Sequence, residues 1–246
     1  MHDILHFMKE IEELISTSDK YKNITVQKKF DSKKNTVAYV TIDDKPRVLK
    51  WFVPGYKRQM KTEYSILKKG STKINIPVIH ELDEENNVII MSYITGKNIC
   101  DIINDDKTEN KEKQKLMYLL AEWLIDFHNF YKTQDQFIIR GDASLRNFIF
   151  TDRIWGVDFE ESRRGKPVED IAGLCSSILT TDPMFTPEKF RLCNIFIESY
   201  LRLASVKIDN INDEIAYSLL EKIQYRPDDE KIFREYSKKI KKEGLK

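Results

Sequence analysis

The stretch "IIRGDASLRNFIF", residues 138 to 150, sets Asp142 and Asn147 five positions apart between two apolar runs. A third oxygen-bearing group, Asp158, follows in "IWGVDFE", beyond the turn Thr151-Asp152-Arg153. Hard divalent cations such as Mg²⁺ take oxygen ligands, and proteins usually hold them with one or two carboxylates plus the phosphates of a substrate. Asn147 and Asp158 would supply an amide oxygen and a carboxylate, which leaves Asp142 to accept a proton or orient a hydroxyl. Taken singly, Asp142 reads equally well as a turn former and Asp158 as a strand-end cap.

A second pair carries charge where apolar side chains are expected. "RVLKWFV" alternates so that Val48, Lys50 and Phe52 share one face of a strand. "YKRQMKTEYSILKKG" then puts Tyr56, Met60, Glu63 and Leu67 on one helical stripe that ends at Gly70. A buried charge is costly unless paired, so a strand lysine followed by a helix glutamate implies that the two meet and hold an ammonium ready for a phosphate. The competing reading has both at the surface, pairing locally with Lys61 or Asp44.

These residues need elements to hold them. An amphipathic helix is expected over residues 1–20, from Ile4, Leu5, Met8, Ile11 and Ile15. "KKFDSKKNTVAYVTI" reads as strand, turn, strand with Asn35 near the bend, and "IPVIHEL" and "NVIIMSY" read as a hairpin closed by Glu84-Glu85-Asn86-Asn87. After Thr95-Gly96 the pattern turns helical, with helices expected over 112–131, from Val168 to Ile178, and over 187–204, 211–224 and 228–243. Phe137-Ile138-Ile139 and Phe148-Ile149-Phe150 read as short buried strands of a catalytic hairpin. The fold class is therefore α+β, with a sheet-rich part over 1–94 and a mostly helical part over 95–246.

Composition excludes several functions. With 41 basic and 40 acidic residues, a net charge of +1 gives no global field for nucleic acid. No apolar run approaches the roughly 18 to 20 residues of a membrane span, so neither secretion nor membrane insertion is expected. Cys100, Cys175 and Cys193 are widely spaced and, with four histidines, show no zinc spacing, which fits a reducing cytoplasmic setting. Cys175 and Cys193 read as small hydrophobes, His128 as a satisfied structural histidine, and Ser162-Arg163-Arg164-Gly165 as a solvated turn.

In order and spacing these features resemble the protein-kinase-like superfamily, and within it the aminoglycoside phosphotransferases and choline/ethanolamine kinases. "VLKW" is similar to the third-strand lysine motif, "TEYSILKKG" to the helix-C glutamate segment, and "IIMSYITGKNI" to the hinge. "IIRGDASLRN" resembles the catalytic loop written H-G-D-x4-N in that branch, "GVDFEE" its metal-binding motif, and "VEDIAGL" a downstream aspartate motif. The resemblance implies a bilobal kinase-like fold that moves the gamma phosphoryl of Mg-ATP to a hydroxyl of a small molecule. By it, Lys50 contacts the ATP phosphates and pairs with Glu63, Asp142 is the base, and Asn147 and Asp158 hold Mg²⁺. Asp170 braces the catalytic loop, Arg146 offsets charge on the transferred phosphoryl, and Ser92, Tyr93 and Ile94 hold adenine, with Asn35 as a further nucleotide-binding candidate.

Two departures stand out. The phosphate-covering segment "FDSKKNTVAY" has no glycine, as in many small-molecule relatives, and Arg140 occupies the position usually filled by histidine. Eleven residues, 159 to 169, separate Asp158 from Asp170, which leaves little room for a peptide-docking platform. The competing functions are an atypical, RIO-type protein serine/threonine kinase and a nucleotide-binding pseudokinase.

Overall fold

The computed structural model describes residues 15–16, 19–30, 32, 34–134, 136–205 and 208–246. Most of the expected N-terminal helix lies outside the described residues. The chain divides into two compact units, Met1–Thr95 and Gly96–Lys246.

The first unit is built on a five-stranded antiparallel sheet: β1 (Ile24–Phe30), β2 (Thr36–Ile42), β3 (Lys45–Trp51), β4 (Ile79–Asp83) and β5 (Val88–Ser92), in the order β1-β2-β3-β5-β4. Period-2 alternation gives this sheet two different faces. One face buries Ala38, Val40, Leu49, Val88 and Ile90 with Tyr21 and Ile24. The other carries the row Val37, Lys50 and Ile89, which the register sets side by side across β2, β3 and β5. After Pro54 and Gly55, whose φ of 96° suits glycine, α1 (Lys57–Gly70) buries Met60, Glu63, Ile66 and Leu67.

Asp83 closes the β4–β5 turn. Its carboxylate accepts from the amides of Glu85 and Asn86 at 3.1 and 3.0 Å, and from the Tyr21 hydroxyl at 2.6 Å. Burial alone would push this carboxyl up, but the bonds from Tyr21, Asn86 and Lys20 hold it well below the usual carboxylate range.

The second unit contains β6 (Lys97–Asn98), α2 (Ile99–Asn104), α3 (Asn110–Tyr131), β7 (Phe137–Ile139), β8 (Phe148–Phe150), β9 (Ile154–Gly156), β10 (Arg163–Gly165), α4 (Pro167–Leu179), α5 (Pro187–Ala204), α6 (Ile211–Glu221) and α7 (Glu230–Glu243). Helix α3 packs on α5, α4 on α6 and α6 on α7. The stripe Leu116, Leu120, Trp123, Leu124 and Phe127 is buried. Proline at the first position starts both α4 and α5, and the Thr186 hydroxyl caps α5.

Two sequence expectations change here. The loop between β7 and β8 is not the tip of a hairpin, because β7 pairs with β10 while β8 pairs with β6 and β9. The Ser162–Gly165 segment is not wholly a solvated turn. Its last three residues form β10, where Arg163 and Arg164 keep their side chains exposed while the backbone satisfies β7. Among the described residues no helix is long and apolar enough to cross a membrane.

Candidate functional site

In the first unit Lys50 and Glu63 meet. The ammonium lies 2.7 Å from Glu63 Oε2, and both side chains are buried, at 4 % and 1 % exposure. Lys50 comes from the middle of the sheet, between Val37 and Ile89, so the strand cannot turn it to solvent without a register slip. The ring of Phe52, just past the end of β3, has its centroid 5.0 Å from the ammonium. The surface alternative, with Lys61 as partner of Glu63, does not hold; Lys61 pairs with Glu84 instead.

The other first-unit candidates are more varied. Asn35 is buried at the end of the β1–β2 connection, and its side-chain oxygen accepts from the Val53 amide at 3.4 Å, a bond that braces the connection against the end of β3. Ser92 ends β5, with its amide on the Val78 carbonyl and its hydroxyl accepting from the Val78 amide. Tyr93, the next residue, stacks on Tyr39 with ring centroids 4.4 Å apart. Ile94 is half-buried.

In the second unit the loop Arg140–Asn147 is fixed from below by Asp170, on the first turn of α4. The amide of Arg140 donates to Asp170 Oδ2 at 2.7 Å and that of Gly141 to Oδ1 at 3.1 Å. Gly141 sits at φ 77°, and a Cβ there would run into the Glu161 carbonyl, so this bend takes only glycine. The Leu145 amide donates to the Ser177 hydroxyl at 3.0 Å, a second tie from α4.

Asp142 is exposed, and Asn147 is joined to it through Nδ2, which donates to the Asp142 carbonyl at 3.0 Å and to its carboxylate at 3.3 Å. The Asn147 carbonyl in turn accepts from the Val157 amide at 3.0 Å, linking this loop to the residue before Asp158. Asp158 adopts φ 64°, a left-handed conformation uncommon outside glycine. A carboxylate oxygen of Asp158 lies within 4.8 Å of one from Glu160. Arg146 is exposed, and its carbonyl accepts from Asn98 Nδ2 at 2.7 Å.

His128 and Arg140 supply what sequence patterns left open. His128 is buried between Asp170 Oδ2, 2.9 Å from Nε2, and the Tyr200 hydroxyl, 2.8 Å from Nδ1. An ionised carboxylate only accepts, so Nε2 carries the proton and, in the neutral ring, Nδ1 accepts from Tyr200. Burial and the charge of Asp170 push the Tyr200 hydroxyl up, which keeps it a donor. These partners stand 42 and 72 residues from His128 and leave no local signal. Asn98 did leave one: an Asn before the apolar run "ICDII" is an N-cap pattern, and its side chain accepts from the Cys100 amide at 2.9 Å.

No protein-family model matches the sequence. No curated protein matches it either. Solved structures do. Aminoglycoside phosphotransferase APH(4)-Ia superposes with a TM-score of 0.68 at 10 % identity, over 96 % of this chain and 99 % of that one. A thermostable mutant of the same enzyme, in ternary complex with ADP and hygromycin B, gives 0.62 at 11 % identity over 95 % and 98 %. The streptomycin–ATP ternary complex of APH(2")-IIa gives 0.58 at 14 % identity over 89 % and 88 %. The chain therefore has a protein-kinase-like fold, in the form found in aminoglycoside phosphotransferases.

Proposed function

We propose that the protein is an ATP-dependent phosphotransferase that moves the gamma phosphoryl group to a hydroxyl of a small molecule. The observation that carries this reading is the Asp142–Asn147 pair, joined through Asn147 Nδ2 on a loop pinned by Asp170. Rigid support beneath an exposed carboxylate suits a group that must meet a substrate hydroxyl in one geometry.

In the reaction, the acceptor oxygen forms a bond to the gamma phosphorus, the bond to the bridging oxygen of ADP breaks, and the hydroxyl proton passes to Asp142. Lys50, oriented by Glu63, would bind the alpha and beta phosphates, and the backbone from Ser92 to Ile94 would hold adenine. Arg146, an exposed residue of this loop, would offset charge on the phosphoryl in transit.

Mg²⁺ fits the donor set of the second unit. With Nδ2 of Asn147 given to Asp142, its amide oxygen is the atom that would coordinate, and Asp158 would add a hard carboxylate oxygen. Bound there, the ion would neutralise phosphate charge. A small acceptor is favoured over a protein because the short segment 159–169 already contains β10 and the start of α4.

The test is ATP consumption by the purified protein with Mg²⁺ across alcohols, amino sugars, nucleosides and a generic protein. Turnover restricted to one small-molecule class supports the reading. Transfer only to protein would replace it with the atypical protein kinase, and Mg-ATP binding without turnover would replace it with the pseudokinase.

A further inference from the structure

Among the described residues Arg140 is the largest fully buried side chain, at 1 % exposure, and burying a guanidinium is costly unless its surroundings answer the charge. Here they do. Its carbon lies 4.5 Å from the Phe159 ring centroid, 4.7 Å from that of Phe148 and 5.4 Å from that of Trp123, an aromatic box of negative ring faces. Its Nη2 donates to two successive backbone carbonyls, Val157 at 2.6 Å and Asp158 at 3.1 Å. Space has been left for it: a Cβ on Gly156 would stand 2.9 Å from Arg140 Nη1 and collide with Trp123.

The backbone so gripped is the uncommon one. Asp158 holds φ 64°, and left-handed conformations of non-glycine residues persist only where neighbours over-determine them. The Val157 amide donates to the Asn147 carbonyl while Arg140 holds the Val157 carbonyl, so one loop and one side chain fix the two peptides that flank the Val157 Cα. The Arg140 amide is itself fixed by Asp170, which sets the depth of the guanidinium relative to the loop.

We infer that Arg140 is a positioning residue that locks Asp158 in its left-handed conformation and so presents the Asp158 carboxylate, with the Asn147 oxygen, to a divalent cation. The inference rests on the proposed phosphotransferase reading for its metal, but its structural half does not. A guanidinium stays charged across the accessible pH range, so the grip does not titrate.

The test uses the full chain and two variants, Arg140→Met, which keeps bulk in the aromatic box without donors, and Arg140→Lys, which restores charge and a donor but not the planar fork. Hydrogen exchange of the ligand-free protein is read at the Val157 amide, bonded to Asn147, and the Ser162 amide, bonded to Phe159. ADP binding is measured by calorimetry with Mg²⁺ and with EDTA. Arg140→Met is expected to speed exchange at both amides about tenfold or more with α5 and α6 unchanged, and to weaken Mg²⁺-dependent ADP binding about 10- to 100-fold, the range for loss of a residue supporting a metal ligand. Metal-free ADP binding stays as in the parent, and Arg140→Lys recovers part of both effects. Exchange that rises uniformly over the unit, or equal losses with and without metal, would reduce Arg140 to a packing residue and overturn the inference. A parent protein that binds no ADP would defeat the phosphotransferase reading instead, while the exchange data would still decide whether Arg140 holds Asp158.

Discussion

Lys50 and Glu63, from a central strand and the helix that follows it, form an ion pair of 2.7 Å with both side chains buried. Such a pair contributes little net stability against a hydrophobic replacement, but removing one partner strands the other charge in the interior. Lys50→Met should therefore destabilise the protein by about 3–5 kcal/mol in chemical denaturation. The double variant Lys50→Met with Glu63→Leu should recover most of that stability and none of the ATP turnover, since the ammonium is what phosphate would meet. Recovery of turnover in the double variant would show that the pair is structural only.

Asp170 accepts from the amides of Arg140 and Gly141 and from His128, so it organises the loop from beneath without touching a substrate. Asp170→Asn keeps the shape but cannot accept from every donor, which should cost about 1–3 kcal/mol, the range for leaving a buried donor unsatisfied. Exchange of the Arg140 and Gly141 amides should accelerate, and turnover should fall at least tenfold. Unchanged exchange at those amides would contradict the bracing role.

Asp83 gives the first unit an acid-sensitive element. Its folded-state affinity for protons lies below the unfolded value of 3.8, so its contribution to stability is fully present above that pH and is lost as pH falls towards its lower folded value. Asp83→Asn should be less stable than the parent at neutral pH and show a flatter fall in stability below about pH 4. Urea denaturation at pH 3, 4, 5 and 7 checks this, and parallel curves for the two proteins would contradict it.

Asp158→Ala removes a proposed cation ligand. Calorimetry should show ADP affinity that no longer responds to Mg²⁺, with metal-free binding unchanged. Retention of the full Mg²⁺ response would move the cation elsewhere.

How much of this was legible in the sequence depended on how local the signal was. Strand alternation and helical spacing put Lys50 and Glu63 on the apolar sides of their elements, but periodicity alone left a surface placement open, and it is the buried 2.7 Å pair that brings them together. Helix α5 was readable to the residue because Thr186-Pro187 starts it, and the hairpin at Asp83 because its turn residues are polar. The grip of Arg140 was not readable. A guanidinium reads as a surface group unless one knows that Trp123, Phe148 and Phe159 surround it, and those lie on a helix, a strand and a loop far apart in sequence. The same holds for β10, whose partner β7 is more than twenty residues away and whose own three residues carry no apolar pattern. Short strands of charged residues take their structure from the partner, not from propensity. The stretch from Asn98 to Asn104 showed a cap signal, but one six-residue helix is too short for periodicity to register.

In the proposed reaction Asp142 accepts the proton of an acceptor hydroxyl while other groups hold the nucleotide. The most direct measurement compares the parent with Asp142→Ala in two assays on the same preparation: ATP consumption with an acceptor that the parent uses, and Mg-ADP binding by calorimetry. Turnover should fall at least about a thousandfold, the upper part of the range for losing a positioned base with its hydroxyl-orienting contact, and nucleotide affinity should stay within about twofold of the parent. Asp142→Ala that turns over ATP at the parent rate would contradict that role.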